Sequence, residues 1–417
     1  MFRSLRLVNY RLLFIGSSIS SIGQCMQSTA MSWVVLTELT ANDAAAMGVA
    51  LALQFGPPLL LVPVSGWVAD RFDRRRLLLV TQTALALTAT AIGLLMLSGV
   101  MTLAIMYGFC LLLGVCNAFD NPARQAFVSD VVPRTDASNA IALNSASFNV
   151  ARLIGPAVAG LALVGIGSGW VFLANAVSYV AMLVVLAAIR RGELEPRTTS
   201  PGRQRFTDGF RYLGKRPDLI VLFTMVLLMG AFGMNFPIFA STMTLEFGLD
   251  ADAFGLLTSV LAIGALAGSL LAARRDKASM NWIVIAAFVF GAAMIAAVFA
   301  PGYWFFAATC ILSGFGSVTL LTTSNGYVQT TTNPALRGRV LAIYLALLMG
   351  GTFIGAPIVG WVAETFGPRA AVAVGAAAGL LAGIVGLVRW LMTRNEPPLD
   401  TATLRVIQPT ADKELPA

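Results

Sequence analysis

Arg152 stands in NVARLIGPAVAG, about 13 residues into an apolar run, or about 20 Å at 1.5 Å per residue of helix. A guanidinium that deep in hydrocarbon costs about 2.5–3.5 kcal/mol on insertion scales. It must face a wet cavity, or be neutralised by carbonyls such as the one Pro156 leaves free at the bend. In a cavity it would draw the anionic or oxygen-rich groups of a small molecule. Other polar side chains recur at helical spacing: Ser17, Ser20, Gln24 and Gln27; Ser145, Asn149 and Arg152; Thr322, Asn325 and Gln329. Gln54, Asn117, Asn175 and Asn235 are single polar points. Any one of these could be a helix-to-helix hydrogen bond. Stripes on several helices are better explained by one shared cavity, with Gln24, Gln27, Gln54, Asn117, Asn149, Arg152, Asn235 and Asn325 as its candidate lining.

Carboxylates avoid the middle of the apolar runs. Asp120, expected near a helix end beside Asn117, Asn121 and Arg124, could carry a proton or close an inner-gate ion pair with Arg124 or with residues 70–76. His is absent, and the four cysteines lie singly in apolar runs with no C-x-x-C pair. That spacing reads as packing rather than a disulfide or metal site. No nucleophile elbow or Walker loop occurs, so neither an enzyme, a resident cofactor nor a metal centre is expected.

The elements that must hold these residues follow from composition. Only 12% of the 417 residues are charged, against about a quarter in a soluble protein, and mean hydropathy is +0.80. Apolar runs of about 20 residues span a bilayer. Twelve are expected, at 12–36, 46–69, 77–98, 100–120, 139–165, 170–189, 219–243, 253–273, 281–300, 303–324, 340–363 and 370–391. The first run is too long for a cleaved signal segment. With the N-terminus cytoplasmic, every Lys and Arg except Arg152 and Arg369 falls on the inner side or its edge. The net charge of +8 is therefore topology rather than a nucleic-acid footprint. Both termini are expected in the cytoplasm, with the chain multi-pass in a bacterial inner membrane.

Residues 190–218 divide the chain into an N-terminal six-helix half (1–189) and a C-terminal one (219–391), with a short interfacial helix expected at 206–215 and a disordered tail at 392–417. NAIALNSASFNVARLIGPAVAG (139–160) matches RVLAIYLALLMGGTFIGAPIVG (339–360) at an offset of 200, including Gly155 with Gly355 and Gly160 with Gly360. Two similar halves suit the parallel duplication of a transporter.

One stretch crowds charge that the rest of the chain avoids: GWVADRFDRRR, residues 66–76. Gly66 would allow close helix approach, and Asp70 can face a helix N-terminus or an arginine. Gly-x-x-x-Asp-Arg-x-x-Arg-Arg after the second of twelve helices resembles the signature loop of the major facilitator superfamily, with Asp73 where a second glycine is usual. The resemblance implies that Gly66, Asp70, Arg71, Arg74 and Arg75 latch the two halves on the cytoplasmic face, with Asp120 and Arg124 as further gate candidates. Arg152-x-x-Gly155-Pro156-x-x-x-Gly160 resembles the antiporter motif of that superfamily, associated with exporters. Its glycines suit tight packing, and Pro156 a bend.

SSIGQCMQSTAMSWVVLTELT, RRRLLLVTQ and NPARQAFVSDVVPR resemble a bacterial efflux branch similar to the enterobactin exporter and macrolide-efflux proteins. That implies a monomeric exporter of small amphipathic molecules (a siderophore, antibiotic or related metabolite), working by alternating access with H+ as coupling ion. A facilitator or importer of a nutrient and a non-transporting receptor are the other readings.

Overall fold

A backbone in hydrocarbon must hydrogen-bond to itself, which leaves helices or closed barrels. The computed structural model describes residues 3–133, 135–190, 207–275, 278–333 and 336–393, and among these every regular element is helical. In chain order they are α1 (Val8–Thr37), α2 (Ala44–Leu60), α3 (Val62–Arg71), α4 (Arg74–Leu97), α5 (Leu103–Asp130), α6 (Ala137–Ile166), α7 (Ser168–Ala188), α8 (Thr207–Leu213), α9 (Pro217–Leu228), a π-helical turn (Met229–Gly233), α10 (Phe236–Glu246), α11 (Ala251–Ala273), α12 (Met280–Val298), α13 (Tyr303–Thr331), α14 (Arg337–Phe366) and α15 (Pro368–Thr393).

Ten stretches among the described residues are long and apolar enough to cross a membrane, α9 to α10 counting as one. α1 has 30 residues, but its serines and glutamines dilute its hydropathy. α2 is apolar but only 17 residues long. The surface carries large apolar side chains such as Leu60, Leu161, Val177 and Trp304, as a chain solvated by lipid should.

Two expected spans are interrupted. The run at 46–69 is split at Leu61, because Pro58 and Pro63 cannot return amides to the preceding turn. The run at 219–243 passes through the π turn and breaks at Asn235, ahead of Pro237. Two others run further than expected. α5 continues to Asp130 because Ala123, Phe127 and Val128 still point into the core at helical spacing, so Asp120 and Arg124 lie inside a helix rather than at its end. α13 continues to Thr331 and carries Asn325 and Gln329 with it. α8 falls where a short helix is expected. Residues 191–206, 394–417 and Arg134 lie outside the described residues.

The internal repeat has a structural counterpart. α6 and α14 have the same length, their bounds differ by 200 at both ends (137 + 200 = 337; 166 + 200 = 366), and each stops at a glycine of positive φ, Gly167 at 84° and Gly367 at 91°. α1 to α7 pack among themselves, as do α9 to α15, and the strongest contacts between the two groups are α2 with α14 and α6 with α11. Both crossings depend on glycine at one end. A Cβ on Gly160 would lie 2.6 Å from Ala251 O, and one on Gly360 would lie 2.4 Å from Ala44 O.

Candidate functional site

Between α1, α6, α10 and α11 lies a part-enclosed cavity of about 580 Å³, its open mouth included. α1 lines it with Cys25, Ser28, Thr29 and Ser32, α6 with Arg152 and Pro156, α10 with Pro237, and α11 with Phe254, Thr258, Leu261 and Ala262. Gly155 brings α6 onto α1, since a Cβ there would meet Cys25 Cβ at 2.6 Å. On the other side the Pro156 carbonyl lies against Gly255 of α11. α6 continues as a helix through Pro156. Phe254 stacks on Trp33 with ring centroids 5.5 Å apart, which fixes the apolar wall.

Arg152 is the one charged residue in this lining. Among the described residues no ion pair or hydrogen bond takes up its guanidinium, so the carbonyl freed at Pro156 does not neutralise it. Three of the four hydroxyls in the lining are already spent as donors within their own helices. Thr29 Oγ1 donates to Cys25 O at 3.0 Å, Ser32 Oγ to Ser28 O at 3.1 Å, and Thr258 Oγ1 to Phe254 O at 3.1 Å. Their lone pairs remain available. The cavity thus combines an uncompensated planar cation, hydroxyl acceptors and apolar walls, which suits a small molecule bearing an anionic group, hydroxyls and an apolar body.

The expected face of α1 points elsewhere. Gln24 Nε2 donates to Asn117 Oδ1 of α5 at 3.0 Å, Asn175 Nδ2 of α7 donates to Gln27 Oε1, and Ser178 Oγ donates to Asn175 Oδ1 at 2.7 Å. Gln24, Gln27 and Asn117 are therefore interhelical hydrogen bonds, and Ser17 and Ser20 are buried with them. Cys25, Ser28, Thr29 and Ser32 were readable as another i, i+3, i+4, i+7 set, and serine and threonine are what carry that signal. Asn149 lies one turn before Arg152 and donates to Ser145 O at 2.9 Å. Asn325 accepts from Gln329 Nε2 on α13. Gln54 is half-buried, with its carbonyl against Gly114 of α5. Asn235 is fully buried and donates to Ala231 O at 2.6 Å, so it serves the helix break rather than the cavity wall.

Asp120 is buried between α4 and α5. It accepts from Thr81 Oγ1 at 2.7 Å and Gln82 Nε2 at 2.8 Å, and pairs with Arg124 through Nη2 at 2.8 Å and Nε at 3.1 Å. Arg124 Nη1 and Gln82 Oε1 are buried beside this pair without partners among the described residues.

The charged loop is held by the first group of helices. Arg74 Nη1 pairs with Asp130 Oδ1 at 2.7 Å. Arg75 is buried and donates through Nε to Leu186 O at 2.6 Å and through Nη2 to Ala187 O at 2.9 Å, capping the end of α7. Arg71 is exposed and sits over the Trp67 ring at 5.4 Å. Gly66 does not serve close approach here, because nothing lies within 4 Å of where its Cβ would be. Asp70 is in the last turn of α3, and its side chain lies outside the described residues.

Two features escaped the sequence reading. Arg216 chelates Asp218 at 2.8 and 2.7 Å and also donates to Thr331 O at 3.0 Å, while Tyr327 donates to Asp218 Oδ2 at 3.0 Å. Glu364 Oε2 of α14 accepts the Ala44 amide at the start of α2 at 3.0 Å. Neither forms a local pattern, since the partners are far apart in sequence.

The signature of a family described as transmembrane secretion effector matches residues 1–414. The staphyloferrin A transporter of Staphylococcus aureus is 28% identical over 342 residues, 80% of this chain and 83% of that one. The enterobactin exporter EntS of Shigella flexneri is 23% identical over 401 residues, 94% and 95% of the two chains. In fold, a bacterial homologue of the iron transporter ferroportin in an inward-facing state superposes with a TM-score of 0.74 at 15% identity, covering 92% of this chain and 98% of that one. A bacterial homologue of the lysosomal transporter Spinster, inward-facing and unoccupied, gives 0.71 at 16% identity over 93% and 97%.

Proposed function

This chain belongs to the transmembrane secretion effector family of the major facilitator superfamily, and from that premise we propose that it exports a small amphipathic, oxygen-rich molecule across the bacterial inner membrane. It is a multi-pass membrane transporter of the major facilitator type and not an enzyme. The observation that carries the export reading to a site is Arg152, a cation in a cavity with no counter-charge among the described residues. The cargo supplies that counter-charge. The relatives named for staphyloferrin A and enterobactin support a siderophore or a chemically similar metabolite as cargo.

The mechanism is alternating access by twelve spans in two six-helix halves, with both termini cytoplasmic and the chain acting as a monomer. The close packing at residues 44, 160, 251 and 360, on the side opposite the proposed cytoplasmic termini, supports reading this as an inward-facing state. In the opposite state Gly66, Asp70, Arg71 and Arg74 close the cytoplasmic end. Coupling to H+ runs through Asp120, whose protonation releases Arg124 and loosens α4 from α5.

The test is uptake into everted vesicles with and without an acid interior, read by untargeted mass spectrometry. A compound accumulating only with the acid interior, and not in Arg152→Ala vesicles, is the expected result. Accumulation indifferent to pH would keep export and remove proton coupling. No accumulation in either condition would remove export.

A further inference from the structure

The hydroxyls of Ser28, Thr29, Ser32 and Thr258 all line the Arg152 cavity, and one of them differs from the rest. A serine or threonine inside a helix can give its proton to the carbonyl four residues back. Thr29, Ser32 and Thr258 do so, at 3.0, 3.1 and 3.1 Å. Ser28 does not. Its Oγ, on a half-buried residue at the cavity wall, is hydrogen-bonded to nothing among the described residues. It therefore holds the one free O–H in the lining. Thr29, Ser32 and Thr258 can only accept, so no neighbouring hydroxyl replaces it as a donor.

Helix register places that donor relative to the cation. α1 and α6 run side by side in the same direction: Tyr10 donates to Ala140 O, Ser18 Oγ lies 2.6 Å from Ser147 Oγ, and Gly155 rests on Cys25. These pairs differ by 129 or 130 in number, so Arg152 is level with Ile22. Ser28 stands six residues further along α1, about 9 Å at 1.5 Å per residue. α11 runs the other way, with Gly255 against Pro156 and Ala251 against Gly160, which brings Phe254 close to the level of Ser28. The apolar wall of Phe254 and Trp33 thus stands beside the free hydroxyl, with Arg152 toward the other end.

Resting on the reading of Arg152 above, we infer that the cavity selects a cargo in which an anionic group is joined through a short spacer to a neutral carbonyl beside a flat apolar group, and that Ser28 recognises the carbonyl. The anion lies on Arg152, the carbonyl oxygen accepts from Ser28 Oγ, and the flat group packs on Phe254.

The probes are ω-benzoylalkanoates with two, three or four methylenes, each set against the phenylalkanoate of equal chain length, which lacks only the carbonyl oxygen. Affinities are read by titration calorimetry on the purified full-length protein in detergent, with blank micelles subtracted. At one length the ketone should bind wild type about three- to tenfold more tightly than its partner, the effect of one neutral hydrogen bond. Ser28→Ala should abolish or reverse that preference, because the carbonyl then finds no donor. Ser28→Cys, a weak donor of similar size, should do the same and stands in if the alanine variant does not fold. Arg152→Ala should weaken both acids of a pair together and keep their ratio. No preference at any length in wild type, a preference kept without the Ser28 hydroxyl, or no saturable binding of any acid would each overturn the assignment. Failure of the Arg152 reading looks different: Arg152→Ala would bind the acids as wild type does, and the inference would fall with it. Binding is measured here without transport, so export stands or falls separately on vesicle uptake.

Discussion

Glu364 and Ala44 are 320 residues apart, and the Glu364 carboxylate accepts the Ala44 amide at 3.0 Å. The bond joins α14 to the first turn of α2, beside the contact that Gly360 makes with Ala44. A carboxylate at a helix N-terminus satisfies an orphaned amide and meets the positive end of the dipole. Its removal costs about 1 kcal/mol in comparable caps, a factor of about five in an equilibrium constant. Because the bond crosses between the two groups of helices, that cost falls on the state in which this end is sealed. Glu364→Ala should therefore raise the rate at which an impermeant maleimide reaches Cys25 from outside by about fivefold. Cys25 lines the cavity, whereas Cys110, Cys116 and Cys310 are buried. An unchanged labelling rate would show that the outer seal does not need this bond.

Arg152 offers the cleanest separation of function from structure, because nothing among the described residues is left unpaired when it goes. Arg152→Ala should leave the melting temperature within about one degree, since no partner loses its hydrogen bond. The apparent KM for an anionic cargo should rise roughly 10- to 100-fold, the equivalent of one or two charge-assisted hydrogen bonds. Arg152→Lys should recover part of that as a point charge without the planar fork. A variant that melts early while keeping its KM would make Arg152 a structural residue.

The α6 motif shows how far the sequence reaches. Gly155, Pro156 and Gly160 were legible because small residues and proline in a helix have few other uses, and they meet α1 and α11 as close packing requires. The polar stripe of α1 was misassigned for a related reason. Ser17, Ser20, Gln24 and Gln27 do lie together on the helix surface, but periodicity gives a face and not its neighbour. Only the packed structure turns that face toward Asn117 and Asn175. The breaks at Leu61 and Asn235 were marked by proline, yet hydropathy averages over them. The Glu364–Ala44 and Arg216–Asp218–Tyr327 contacts bring together distant segments and left no local trace.

Within residues 66–76 the arginines should separate by partner. Arg75 is buried on the last carbonyls of α7, so Arg75→Ala leaves those acceptors without a donor. Loss of two hydrogen bonds to a charged group should cost roughly 3 kcal/mol and lower the yield of folded protein. Arg71 is exposed against Trp67, and Arg71→Ala should leave stability within about 0.5 kcal/mol. Asp70→Asn should insert and fold normally yet cripple transport, because the proposed role of Asp70 is exercised in the other state. Melting curves and vesicle uptake on the same preparations decide this. Full transport in Asp70→Asn would end the gating assignment.

Asp120 carries the last prediction, and stability has to be separated from coupling to read it. The carboxylate and Arg124 are buried together, and breaking one side of such a pair typically costs about 3–5 kcal/mol because the other charge stays in place. Asp120→Asn alone should therefore be unstable whatever its role, and its loss of transport would say little. Replacing both charges removes the uncompensated one. Asp120→Asn with Arg124→Gln keeps an acceptor for Thr81 and a donor at position 124, so it should recover most of the lost stability in a double-mutant cycle. If Asp120 is where the proton binds, that folded double variant should bind cargo with wild-type affinity and exchange it across the membrane at a rate indifferent to the pH gradient. Cargo accumulation that still follows the gradient in the double variant would place proton coupling elsewhere and leave the Asp120–Arg124 pair as a clamp between α4 and α5.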